Sequence, residues 1–494
     1  GTDTEITNVI DNTRLWIVTC ENPDGYVYSH DQGHNMWRKN RRYVSEHGTY
    51  GIDPNRNYGG SCNGEAEGSW GSIGDASVTH SPSSDTYCGT WSMSEDCTQV
   101  IKNFFLQHDF CALITWHTYS ELVLWPWAYT YGSSPDDSYM SQVGTNMAAL
   151  ITQQDGYGTY TPDQSSGLYP TTGDTTDWTY GYSHYVKGKT CFSYTIEACT
   201  SFQPSESYLD QVCRENYDGG FYLLQEAPNI DSITPRVVPP TINSMTTDDD
   251  GDYTVSWNII NPDANVQKYH LDELTGLSIN LDDAESGFLL WDNDGFSQSC
   301  TRAYSGSNSF KSRYQNSDVS SMVTSYPIPV ETGMDLSFWC WYDIEDNYDM
   351  GFVEVSTNGN EYKLLDTFTG SSNGWVYQEY SLEDYVDSSI FIRFRYTTDS
   401  YTQDEGFYID DIHPVADFSS VTTLSDTIPS TSYSIVGNSE DVYYYRVKGY
   451  NNEYGWGDFS ELESMNVTTA SNSILIENIS AVPRVQTSAG WVNV

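Results

Sequence analysis

Cations are scarce in this chain: 21 Lys and Arg stand against 69 Asp and Glu in 494 residues, a formal net charge of −48. That balance argues against nucleic acid and anionic membrane surfaces as partners, since binding them depends on cationic groups displacing counterions. Long apolar runs are missing too. None approaches the ~18 residues a spanning helix needs, so no membrane span is expected. No C-x-x-C pair occurs, which argues against a zinc ribbon or a thioredoxin-type site. The opening residues GTDTEITNVIDNTR do not read as a signal peptide. Aromatic residues, by contrast, are plentiful: 40 Tyr, 15 Trp and 17 Phe provide material for real cores and exclude disorder through lack of apolar groups.

Ten cysteines, at 20, 62, 88, 97, 111, 191, 199, 213, 300 and 340, accompany sequons at Asn466 and Asn478. The set fits a secreted or cell-surface protein in an oxidising exterior, with scattered buried thiols as the alternative. Cys62 with Cys88, Cys199 with Cys213, and Cys300 with Cys340 are candidate bridges, but spacing does not fix connectivity.

Texture changes near residue 230. Before it, apolar runs (RLWIVTC, CALITWH, CFSYTIEA) alternate with helical stretches such as SEDCTQVIKNFFLQHD and DSYMSQVGTNMAALITQQ, the pattern of an α/β sheet. PNIDSITPRVVPPTINS reads as a Pro-rich linker. Beyond it, period-2 strands recur (YTVSWNI, LSFWCWYDI, GFVEVST, IFIRFRYTT, VYYYRVKGY), predicting all-β sandwiches. YTVSWNIINPDANVQKYHLDEL resembles the opening of a fibronectin type III domain, and VYYYRVKGYNNEYGWGDFSE its close, with Tyr444 or Tyr445 as tyrosine-corner candidates. Between them, DDAESGFLLWDNDGF, GFVEVSTNGNEYKLL and IFIRFRYTTDSYTQDEGFYIDDI resemble the jelly roll of secreted bacterial proteases of the immune inhibitor A type, related to MAM domains. The division expected is 1–230 for the α/β domain, 231–276 and 419–468 for the two parts of the type III domain, 277–418 for the inserted jelly roll, and 469–494 for a tail or linker. Insertion between neighbouring strand ends is physically tolerated.

His117 follows an apolar strand, at the kind of strand end where open α/β sheets place functional groups. A neutral imidazole there is a candidate metal ligand, although a lone His is more often structural. Glu197 ends a second strand, where desolvation would raise a carboxyl toward the range of a general base; an ordinary loop acid is the plainer reading. Five of the scarce cations, Arg38, Lys39, Arg41, Arg42 and Arg56, gather in NMWRKNRR and GIDPNRNY, suggesting either a local anion site or a solvated basic loop.

Seven stretches decide between these readings: NPDGYVYS at 22–29, NMWRKNRR at 35–42, GIDPNRNY at 51–58, SPSSDTYCGTWSMSE at 81–95, ITWHTYSELVLWPWAY at 114–129, LYPTTGDTTDWTYG at 168–181 and FSYTIEACTSFQPS at 192–204. Their order and spacing, over residues 1–225, resemble the zinc metallocarboxypeptidases of the carboxypeptidase A and T type. The fold class implied is multidomain: the C-terminal portion of an α/β zinc carboxypeptidase fold followed by all-β sandwiches. By that resemblance His117 is a zinc ligand, Glu197 the general base on zinc-bound water, and Arg38 the group that polarises the scissile carbonyl. Asn55, Arg56 and Tyr169 would hold the substrate's terminal carboxylate. Tyr119, Leu124, Ala128, Asp174, Thr176 and Thr195 fall at substrate-binding positions, and SGLYPTTGDTTDW looks closest to carboxypeptidase T. Small hydroxyl residues with one acid imply broad specificity for apolar and basic terminal residues. The partners implied are peptide or protein C-termini.

The family's two further zinc ligands lie in an H-x-x-E motif upstream of the strand preceding NPDG, here RLWIVTC. The only such motif in the chain is His270-Leu-Asp-Glu273, downstream in the type III region and read as a decoy. One protein ligand does not hold a catalytic zinc, which takes three and an open position. A missing N-terminal fragment is therefore an expected partner, and without it the sheet would leave apolar edges exposed. The second reading is a noncatalytic extracellular structural, filament or adhesion protein, engaging a surface polymer or itself through its β domains. Asp282, Asp283 and Glu285 with Asp410 and Asp411 are candidate calcium ligands at the two ends of the jelly roll; DDDGD at 248–252 lacks an EF-hand's closing Glu.

Overall fold

The computed structural model describes residues 4–31, 33, 36–45, 47–59, 63–64, 68–468, 484–487 and 490–493. In the N-terminal half, four strands make the sheet: β1 (Ala112–Thr118), β2 (Leu122–Trp125), β3 (Thr161–Gln164) and β4 (Phe192–Ala198). Their order is β1-β4-β2-β3, with β1 parallel to β4, β2 antiparallel to β4, and β3 parallel to β2. The central strand β4 is buried at five of its seven positions because neighbouring elements cover it. Phe192, Tyr194 and Ile196 pack with Met140, Val143 and Met147 of helix α1 (Asp137–Leu150) and Leu223 and Ile230 of helix α2 (Leu209–Asp231). Helix α2 runs through Pro228, so the Pro-rich linker starts later than its composition suggests.

RLWIVTC is not a strand. Residues 13–18 have no regular structure, and Leu15 and Ile17 are 58% and 76% exposed. A strand exists through its ladder, and among the described residues this run pairs with none; Trp16 instead packs on Phe104 and His108. Among the described residues, strand β1 has only β4 beside it.

In the C-terminal half, β5 (Tyr253–Asn258) pairs with Ser432–Ile435. Two long strands, β6 (Lys268–Asp282) and Gly406–Ile428, pair along their length from Tyr269↔Ile428 to Asp282↔Ile412. Residues 276/277 and 418/419 thus lie inside one continuous ribbon that leaves the type III-like core (Trp257, Leu271, Tyr445, Val447) and enters the jelly-roll core (Phe338, Ile392, Phe394, Ile409). The tyrosine-corner contact is made by Tyr443, whose hydroxyl donates to the Ser439 carbonyl at 3.1 Å. Tyr445 instead turns inward to bond Glu273, and Tyr444 packs on Phe418. The tail from 469 lies outside the described residues except for a hairpin of Arg484–Thr487 with Gly490–Asn493.

The pairings of Cys199 with Cys213 and of Cys300 with Cys340 are not formed. Among the described residues all nine cysteines are free, and in both testable pairs one member is buried (Cys199, Cys340) while the other is exposed (Cys213, Cys300). Cys62 and Asn478 lie outside the described residues; Asn466 is exposed on the strand Glu463–Val467. Among the described residues no helix is long and apolar enough to cross a membrane.

Candidate active site

Parallel pairing of β1 with β4 sets His117 directly beside Glu197, both at the strands' C-terminal ends. Thr115 Oγ1 lies 3.1 Å from His117 Nε2. Burial, then the charges of Arg56 and Arg38, push the imidazole down to about 4. Burial pushes Glu197 up to about 7 against the pull of the same two arginines. Arg38, Arg56, His117 and Glu197 therefore share one electrostatic neighbourhood.

Local sequence builds the arginine side. In Asp53-Pro54-Asn55-Arg56, Asp53 accepts from the Asn55 amide at 3.2 Å and caps a short turn, with proline at its first position. The buried Asp53 carboxylate also pairs with Arg38 at 2.8 Å. Arg56, 2% exposed, donates to its neighbour's carbonyl at Asn55 (2.7 Å), to Ser77 O (3.3 Å) and to Tyr169 Oη (3.5 Å). Gly173 must be glycine: at φ +70° a Cβ there would sit 2.2 Å from the Arg56 carbonyl. Asn55 Oδ1 accepts from Thr175 N and Oγ1, joining the turn to a helix spanning Thr175–Gly181.

The remaining basic residues face elsewhere. Lys39 is buried and donates to Pro82 O and Ser84 O, Arg42 pairs with Glu95 at 2.9 Å, and Arg41 stacks 3.6 Å over Tyr28. Of the five cations, Arg38 and Arg56 are the two whose charges reach His117 and Glu197.

The residues expected at the pocket fall into local groups. Leu124 and Thr195 are register partners across β2 and β4. Asp174 Oδ1 caps the helix through Thr176 N, Thr176 Oγ1 and Asp177 N, while its Oδ2 is buried without a hydrogen-bond partner. Burial raises its pKa. Tyr119 is half exposed and packs edge-on against Phe202 at 4.6 Å. Sequence reasoning missed Asp177, whose carboxylate accepts from Ala128 N and Tyr129 N and holds the pocket wall in place. It missed Asp53 as well; the D-P-N capping pattern was the available signal.

His117 belongs to no cluster of three potential ligands among the described residues. One imidazole does not fit a zinc site, and no step is assigned to a metal held by these residues alone. His270 bonds Asp272 and Thr423 while Glu273 bonds Tyr445 and Asn438, so that H-x-x-E does not share a site.

The calcium candidates do not converge either. Asp282 accepts from Ala284 N and Trp291 Nε1, Asp283 from Glu285 N, and Glu285 from Ser307 N, Asn308 N and Asn308 Nδ2. Asp410 accepts from Tyr304 N and Ser305 N, and Asp411 from Ser305 Oγ. Each of these acids accepts at least one hydrogen bond from a neighbouring donor. The acids that do converge among the described residues are Glu345 and Asp349, from the turn between the strands Asp335–Ile344 and Met350–Ser356, and Asp399 from a second loop. Burial, with the nearby charges of Asp399 and Glu345, pushes Asp349 up to about 7. A carboxyl whose folded pKa exceeds its unfolded value holds a proton that unfolding releases, so its contribution falls as pH rises from about 4 toward 7. Asp349→Asn is expected to flatten that fall and stabilise the jelly roll at pH 8 but not at pH 4. Urea unfolding at both pH values in chelator-treated buffer checks this; equal effects at the two would contradict it.

Comparison with known proteins agrees with the motif reading. Residues 1–219 match the family model for zinc carboxypeptidase, and residues 293–438 that for the immune inhibitor A-like MAM domain. Rat carboxypeptidase A1 is 31% identical over 198 residues, covering 40% of this chain and 43% of that protein. Human mast cell carboxypeptidase A is 30% identical over 220 residues, covering 44% and 49%. The chain thus spans about half the length, or less, of these curated relatives. Among solved structures, thrombin activatable fibrinolysis inhibitor aligns at TM-score 0.39 and 23% identity, over 47% of this chain and 57% of that one. Carboxypeptidase A from Helicoverpa armigera aligns at 0.36 and 22%, over 43% and 51%. By its family-model match and these relatives the N-terminal region is similar to zinc carboxypeptidases. It is followed by β-sandwich modules that include an immune inhibitor A-like one.

Proposed function

We propose that residues 1–230 supply one side of a secreted zinc metallocarboxypeptidase site that removes amino acids singly from peptide C-termini. The remaining zinc ligands come from an H-x-x-E segment outside residues 1–494. The observation that carries this reading is the pairing of His117 with Glu197 in the field of Arg38 and Arg56. Zinc, when bound, supplies Lewis acidity to the substrate carbonyl and to water. In this chain Glu197, desolvated and poised near neutrality, accepts the proton of the attacking water, and Arg38 meets the charge developing on the carbonyl oxygen. Arg56, Asn55 and Tyr169 hold the terminal carboxylate, which restricts cleavage to the last residue. Leu124, Ala128, Thr176 and Thr195 make a small pocket. The unpartnered Oδ2 of Asp174 gives it an acceptor for basic side chains, so apolar and basic terminal residues are both accepted.

The test uses the protein with its H-x-x-E segment and a peptide offered either as the free acid or as its C-terminal amide. Mass spectrometry is expected to show one-residue shortening of the acid and no cleavage of the amide. Arg56→Ala is expected to raise KM for the acid at least tenfold. Internal cuts, or equal cleavage of acid and amide, would contradict the reading.

A further inference from the structure

The jelly roll is built against the N-terminal domain through residues 71–80, a strap that lies between the two. On its outer side the strap meets the jelly roll. Gly74 N donates to Thr398 O at 2.8 Å, and Gly74 forms a parallel bridge with Asp399. Trp70 and Val78 are buried in one apolar cluster with Met350 and Phe352, and Ala76 and Leu364 pack against it. The Trp70 and Phe352 rings meet edge-on at 6.5 Å. Arg395, itself held by Glu354, lies 4.0 Å over the Phe352 ring. On its inner side the same strap reaches the carboxylate-binding residues. Ser77 N donates to Pro170 O at 2.8 Å, next to Tyr169, and Ser77 O accepts from Arg56 Nε at 3.3 Å. Thr172 Oγ1 closes the contact on Gly71 O.

We propose that the jelly roll positions Arg56 for the terminal carboxylate by holding this strap, with Ser77 as the positioning residue that acts on Arg56 through its carbonyl. The proposal rests on the reading of Arg56 as a carboxylate ligand. Its physical basis is directional. A guanidinium fork binds a carboxylate well only when its plane is fixed, and the Arg56 guanidinium donates to the Asn55 and Ser77 carbonyls and the Tyr169 hydroxyl, of which Ser77 O is the one on the strap. The Ser77 carbonyl stays in place because the strap is pinned three residues earlier at Gly74 and one residue later at Val78. The inserted module is accordingly a working part of the substrate site.

The test opens the seam from the jelly-roll side. Leu364 lies on an edge strand, Lys363–Phe368, so Leu364→Glu charges the seam with little cost to the jelly-roll core; Leu364→Met is the conservative control. The first readout is the Arg56 side-chain Nε–H resonance of this chain, assigned by its disappearance in Arg56→Lys. Amide exchange at Gly74 reports whether the seam has opened. Leu364→Glu is expected to speed exchange at Gly74 and at Arg56 Nε–H at least tenfold, with Leu364→Met near wild type. The second readout is binding of N-acetylglycyl-phenylalanine and its C-terminal amide. Leu364→Glu is expected to weaken the acid five- to tenfold and leave the amide unchanged, with no further loss in an Arg56→Ala background. An open seam at Gly74 with an unaltered Arg56 resonance would overturn the proposal, as would equal weakening of acid and amide. If the wild-type chain does not prefer the acid, the carboxylate reading itself fails, and the Nε–H measurement alone decides whether the jelly roll positions Arg56.

Discussion

Replacing Glu197 with Gln in the zinc-loaded protein that carries the H-x-x-E segment is expected to lower kcat about 10²–10⁴-fold, the usual worth of a positioned general base, with little change in KM. Gln preserves the side chain's size and a carbonyl oxygen beside His117, but it accepts no proton at neutral pH. The split between kcat and KM matters because Glu197 is placed on the reacting side of the site, while the terminal carboxylate is assigned to Asn55, Arg56 and Tyr169. The same variant should therefore retain the preference for a free acid over an amide in binding. A Glu197→Gln protein with wild-type kcat would remove the general base from the mechanism.

A second large effect is expected far from the chemistry. Glu354 lies in the jelly roll between Arg393 and Arg395, at 2.7 Å and 2.8 Å, and the three side chains are 0–4% exposed. Burial alone would raise the Glu354 pKa, but the two guanidiniums bring it below its ordinary value. Glu354→Gln keeps the shape and removes the buried negative charge that both guanidiniums face. Breaking a buried pair in this way costs about 3–5 kcal/mol, a large share of the ~5–15 kcal/mol that holds a domain folded. Thermal or urea unfolding of the jelly-roll transition measures it; a loss below about 1 kcal/mol would mean that water reaches the triad. Because Arg395 also covers Phe352 at the seam, the variant is expected to loosen the strap as well.

Much of this was legible in the sequence where the signal is local. CALITWH and CFSYTIEA read as strands because apolar runs of that length end in polar groups at a sheet edge, and the motif order pointed to His117, Glu197, Arg38 and Arg56. Local pattern failed where the outcome depends on a partner distant in sequence. RLWIVTC has the composition of a strand and no ladder to join. Lys39, Arg41 and Arg42 looked like companions of Arg38 until Pro82, Ser84, Tyr28 and Glu95 claimed them. Cysteine count carried no information on which sulfurs approach. The meeting of Asp399 with Glu345 and Asp349 inside the jelly roll, and the strap that joins Thr398 to Arg56 between modules, bring together residues that no window of sequence contains.

The most direct test of the account is zinc content together with release of C-terminal residues, measured for this chain alone and for the protein extended by a segment bearing H-x-x-E. The chain alone is expected to retain no zinc through dialysis and to release nothing. The extended protein is expected to hold one zinc per chain and to shorten peptides from the free carboxylate. An extended protein that binds zinc and folds but releases no terminal residue, or a lone chain that is equally active, would contradict the account.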